Sequence, residues 1–157
     1  MITKPDLIGQ LTNAKNSYVL GLAALSLFST PQLYSLLAES SVSFGTYTLP
    51  LNQVVQMLMN PADRGSATKE FLLMVLRAFI RESFSLLAQY CDETGQGPLL
   101  KKQEWYQYAK LIGNCLSSPG CIFKFTRRDE DLLPTVWKSR AITPDMDGQP
   151  LQLSLCG

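Results

Sequence analysis

Two long stretches with helical spacing fix the fold class of this chain. Between Ser66 and Cys91 a stripe of Phe71, Val75, Phe79, Leu86 and Tyr90 recurs at intervals that return to one helix face. Leu72, Leu76, Leu87 and Ala88 widen it. A second stripe runs from about Leu99 to Ser118 through Trp105, Tyr108, Ala109, Ile112, Cys115 and Leu116. Ser117-Ser118-Pro119-Gly120 stops it, because proline has no N–H and disfavours helix in the residue before it. Two amphipathic helices of this length must bury their stripes against other elements. The expectation is a mainly α protein, a bundle of four to five helices.

The remaining segments follow the same logic. Thr3-Lys4-Pro5-Asp6 places a proline and an acid in a first helical turn, and Leu7, Ile8, Leu11, Ala14, Tyr18, Leu22, Leu25 and Phe28 continue it. From Tyr18 to Phe28 this helix is apolar nearly all round, which predicts a central, covered position. The run is too short to span a bilayer, which takes about 20 residues. Thr30-Pro31 reads as a cap and first position of a second helix reaching about Glu39. Residues 40–50 alternate and suggest a short strand or extended loop. Asn52 to Met59 makes two turns ended by Asn60-Pro61, and Asp63 to Gly65 reads as a loop. After Gly120 the pattern is β-like, with strands expected over 121–126, 135–143 and 151–155. The chain thus reads as one domain over 1–157, with a helical bundle over 1–118 and a β tail over 121–157 packed on it.

Composition narrows the chemistry. There is no histidine, so no imidazole serves as base, acid or metal ligand. Cys91, Cys115, Cys121 and Cys156 form no C-x-x-C, so no metal site is expected and no cofactor is implied. With no secretory leader, they read as reduced cytoplasmic thiols. Asp145-x-Asp147-Gly148 begins like a calcium loop but lacks the later ligands, and reads as a turn. Net charge is +1, so any contact with an anion must come from a local cluster.

Two such clusters stand out. Lys124, Arg127, Arg128, Lys138 and Arg140 interleave with Phe123, Phe125 and Trp137, a pattern that can stack and neutralise single-stranded nucleic acid. Asp129, Glu130 and Asp131 offer the plainer account of a balanced, solvated face. Arg77 and Arg81 stand four apart on one helix, and neither has an acid three or four residues away. They read either as a wet helix face or as cations that reach a phosphate or a partner.

Ile112-Gly113-Asn114-Cys115-Leu116-Ser117-Ser118-Pro119-Gly120 resembles a worn copy of the R-N-A-x-x-H stretch of HEPN-domain proteins. The resemblance covers roughly residues 66–126. It implies a cytoplasmic helical bundle of a toxin–antitoxin or phage-defence system, often a ribonuclease, dimerising through the motif region. Gly113 stands where the family has its arginine and Ser118 where it has its histidine; Asn114 alone corresponds. Losing the proton carrier removes a contribution of about 10²–10⁴ in rate. The resemblance therefore implies a non-catalytic member, a homodimer or one half of a heteromeric complex, that binds and does not cleave. The alternatives are an RNA-acting enzyme, with Arg77 or Arg81 on the phosphate and Asn114 with Ser118 on the 2′-hydroxyl, and a single-stranded nucleic-acid binding module using the tail.

Overall fold

The computed structural model describes residues 2–28 and 30–156, and the chain within them is mainly helical with two small antiparallel hairpins. Its helices are α1 (Lys4–Phe28), α2 (Leu33–Ala38), α3 (Asn52–Met59), α4 (Pro61–Glu93), α5 (Gly97–Lys101), α6 (Tyr106–Ser117) and α7 (Arg127–Glu130). The strands are β1 (Ser41–Phe44), β2 (Tyr47–Pro50), β3 (Thr135–Trp137) and β4 (Arg140–Ile142). Two compact units result: residues 15–76, and residues 1–14 with 77–157.

Side-chain caps explain the starts of α1 and α4. Thr3 and Asp6 form a reciprocal pair at the start of α1: the Thr3 N–H donates to Asp6 Oδ2 (3.2 Å) and the Asp6 N–H to Thr3 Oγ1 (3.3 Å). At residue 60 the sequence reading needs correction. Asn60-Pro61 ends α3 but also begins α4, because Asn60 Oδ1 accepts the Ala62 N–H (3.1 Å) and Pro61 sits where an N–H would be unsatisfied anyway. Asp63 to Gly65, expected as a loop, is therefore helical. Thr30 and Pro31 instead lie in a turn whose carbonyls accept the N–H groups of Leu33 and Tyr34, and α2 starts at Leu33.

In the unit over 15–76, α1 meets α4 closely at Gly21, where an added Cβ would lie 3.0 Å from Val75 Cγ1. Val55, Leu58, Leu73 and Leu76 are buried. The expected cover over the apolar end of α1 is absent among the described residues: Val19, Leu20 and Leu27 are each more than half exposed. One helix face is closed by the approach at Gly21, and the others are left to solvent. The segment over 40–50 is a hairpin, with Ser41 opposite Pro50, Phe44 opposite Tyr47, and Gly45 at φ +59 in its two-residue turn.

In the other unit the expected helix from Leu99 to Ser118 is broken. Between α5 and α6 the chain tightens through bonds from the Lys102, Gln103 and Tyr106 N–H groups to the carbonyls three residues earlier. Lys102, Gln103 and Glu104 are exposed, so no apolar side chain holds a regular helix across them. The tail also differs from three plain strands. Residues 135–143 fold into the β3–β4 hairpin, turning at Lys138 (φ +54) and Ser139. The stretch after Gly120 makes one bridge, Ile122 to Pro150, and 153–155 is a 3₁₀ turn. The core of this unit is Cys115 and Leu116 of α6, Phe123 and Ile142, with Leu116 and Ile142 fully buried. Among the described residues no helix is long and apolar enough to cross a membrane.

Candidate functional site: a basic cleft beside an aromatic pocket

Helices α4 and α6 run past one another so that a face of each forms one wall of a cleft of about 240 Å³. From α4 come Arg81, Phe84 and Ser85; from α6 come Lys110, Gly113, Asn114 and Ser117, spaced to return to one face every three or four residues. Ile80 and Ala109 form its inner edge. Gly113 keeps the cleft open: an added Cβ would have Ile80 Cγ2 as its nearest neighbour at 3.9 Å, so internal packing does not demand a glycine there. Among these lining residues there are two cations and no carboxylate. An anion is the ligand such a lining favours.

Of the residues singled out from sequence, Arg81 and Asn114 meet in this cleft, and both are exposed. Arg77 does not line it. Its Nη2 donates to Cys121 Sγ (3.3 Å), and its Nε is buried with no hydrogen-bond acceptor. The Ser118 hydroxyl is turned back on the chain, within reach of the carbonyls of Cys115 (2.8 Å) and Ile122 (2.6 Å), where it clips the end of α6. The tail cations are dispersed. Lys124 is exposed, and Arg127 and Arg128 lie exposed on α7. Lys138 sits over the Trp137 ring at 4.7 Å, and Arg140 Nε donates to the Ser154 carbonyl (2.7 Å).

Lys110 was not anticipated, although its position four residues before Asn114 was a readable signal. It also acts on Asp129. Burial alone would raise the Asp129 pKa. Hydrogen bonds from the Thr126 N–H (2.9 Å) and hydroxyl (2.7 Å), with the Lys110 charge, outweigh that and hold it below the usual carboxylate value.

On the other side of Ile80 and Ala109 lies a second concavity of about 360 Å³. Trp105, Tyr108, Trp137 and Cys156 line it, and little of its wall is polar. The Tyr108 hydroxyl is already committed, donating to the Leu155 carbonyl (2.9 Å), and its ring packs on Trp137 with centroids 6.0 Å apart. Burial pushes the Cys156 thiol up to about 11, and the Cys115 thiol up to about 12, so both are neutral near pH 7. Sequence reasoning had found Trp137 but not the pocket, because its walls come from positions more than thirty residues apart. Among the described residues no group of His, Cys, Asp or Glu is placed to hold a metal ion. Asp147 serves the fold: its Oδ1 accepts the Phe125 N–H (2.9 Å).

The site thus defines a class only: a mainly helical protein with a basic cleft and no imidazole to carry protons. No family model, curated protein or solved structure matches the chain.

Proposed function

We propose that this is a non-catalytic, HEPN-like binding protein that holds a phosphodiester strand, single-stranded RNA, in the cleft between α4 and α6. The observation that carries this reading is the convergence of Arg81, Lys110 and Asn114 on one cleft without an acid among its lining residues. Arg81 and Lys110 supply charge to phosphate oxygens, and Asn114 and Ser117 supply neutral donors and acceptors of the kind that meet a 2′-hydroxyl. General acid–base cleavage works best with a proton carrier whose pKa lies near the working pH. The chain has no histidine, and its Cys115 and Cys156 thiols are held far above neutrality.

The test is retention of single-stranded RNA by purified protein over a salt series. Binding should fall steeply with salt, and Arg81→Ala and Lys110→Ala should each flatten the slope by about 0.7–1. Unchanged slopes in both variants, or steady turnover of RNA by metal-free protein, would remove this reading.

A second reading is supported by a separate observation. Leu20, Leu36, Phe44, Tyr47 and Met59 are large, apolar and more than 60 % exposed in the unit over 15–76. A toxin–antitoxin or defence protein that works as a homodimer would cover such side chains with a second copy. Sedimentation at high micromolar concentration should then show a dimer that Leu20→Ser or Leu36→Ser weakens; a monomer throughout would end this second reading.

A further inference from the structure

We infer that the aromatic pocket lined by Trp105 and Trp137 receives a nucleobase of the strand whose phosphate lies in the adjoining basic cleft, an inference that rests on the phosphodiester reading above. The two concavities share a wall, Ile80 and Ala109. Arg81 and Lys110 are the residues that follow these two in the chain, so each helix sends one residue to the wall and the next into the basic cleft. A nucleotide has the same division: an uncharged planar base beside an anion.

The chemistry of each side fits its half. The larger concavity has two indoles and a phenol ring in its wall, and its hydroxyl is already committed to the Leu155 carbonyl. Nothing charged lines it, since the Cys156 thiol is neutral. A phosphate entering there would lose its water without gaining a partner. A base loses little water from its faces and gains ring contacts. Lys138 Nζ lies 4.7 Å from the centroid of the Trp137 ring, which places a positive charge against this indole. Stacking on these rings tolerates any base.

The chain itself supplies the reporter. It has two tryptophans, and both line this pocket. Trp105 also meets Phe84 of the basic cleft edge-on at 6.5 Å, so the abasic strand serves as the control for quenching that arises from the cleft. The experiment titrates the unmodified protein with a short oligoriboadenylate and with a strand of equal length and charge that carries abasic riboses. The expected result is quenching by the oligoadenylate, affinity about tenfold above that of the abasic strand, and little quenching by the latter. Trp137→Leu should erase the tenfold preference. Trp137→Phe, which keeps a ring against Tyr108, should retain most of it. Equal, salt-dependent affinity for both strands without a difference in quenching would overturn the base pocket and leave the phosphodiester reading standing. Failure of both strands to bind would remove both readings.

Discussion

The two units use the same apolar alphabet to opposite effect. In residues 1–14 with 77–157, the buried set includes Tyr108, Leu111, Ile112, Cys115, Leu116, Phe123 and Ile142. In residues 15–76 it comprises Val55, Leu58, Leu73 and Leu76, while Val19, Leu20, Leu27, Leu36, Phe44, Tyr47, Met59 and Met74 stand exposed. The difference lies in where the chain returns. The C-terminal tail folds back on the turn after α6 through the Leu151 N–H to the Cys121 carbonyl (2.8 Å), and on α6 itself through the Tyr108 hydroxyl to the Leu155 carbonyl (2.9 Å). Each return covers apolar surface that α6 alone would expose. In 15–76 the hairpin closes on its neighbour in sequence and brings no such lid. Helical periodicity therefore says which residues want burial, and long-range returns decide which obtain it.

The largest expected effect tests this contrast directly. Leu116→Ala removes a fully buried side chain from the denser unit and should cost about 2–5 kcal/mol in urea denaturation. Leu20→Ala, on the same scale, should change stability by no more than about 0.5 kcal/mol, because its side chain is 70 % exposed. If the two substitutions cost the same, the division into a covered and an uncovered unit is wrong.

Helix caps sharpen the comparison at about half that size. Asp129 is buried and receives two hydrogen bonds from Thr126; Asn60 receives one from Ala62 in the open. Asp129→Ala breaks the capping box with Thr126 at the start of α7 and leaves both Thr126 donors without this acceptor. It should cost about 1–2 kcal/mol at pH 7, and Asn60→Ala about 0.5 kcal/mol. The folded pKa of Asp129 is lowered, so its contribution is present above the unfolded value of about 3.9 and lost as pH falls through the folded value. The gap between wild type and Asp129→Ala should therefore close as urea curves are repeated at progressively lower pH. A gap that widens in acid would contradict the direction of the shift.

Much of this was legible in the sequence, and the part that was not has physical causes. The helix carrying the α4 stripe, the start of α1 and the stop after Ser117 are local chemistry and lie where their residues put them. The buried residues of α4, however, are Leu73 and Leu76, with Phe71, Val75, Phe79, Leu86 and Tyr90 half-buried. Asn60-Pro61 misled because one Asn-Pro pair both ends a helix and starts the next. The side chains of Arg77 and Arg81 share a helix but part company, one to Cys121 and one to the cleft, which spacing alone does not reveal. Ser118 matched a motif position by number, yet its hydroxyl is spent on two carbonyls. The aromatic pocket needed α4, α6, β3 and the residues near 155 together, and no window of sequence holds them all.

The smallest expected effect concerns two of the helical glycines, Gly113 and Gly21, one in each unit. Replacing a helical glycine by alanine gains about 0.5–1 kcal/mol, because the unfolded chain loses freedom and the helix loses none. At Gly113 that gain should appear in full: the new methyl would meet Ile80 at 3.9 Å, ordinary contact. At Gly21 the same methyl would lie 3.0 Å from Val75 Cγ1 and 3.7 Å from Phe71 Cε1, so the neighbours must shift and the gain should be cancelled or reversed. The sparsely covered unit thus holds a tight helix contact at Gly21, while the denser unit has room for a methyl at Gly113, beside Arg81 and Asn114. The melting temperature should rise for Gly113→Ala and should not rise for Gly21→Ala. A matching rise in both would show that α1 and α4 stand farther apart at Gly21 than 3.0 Å allows. A fall at Gly113 would show that the cleft has less room than its walls describe.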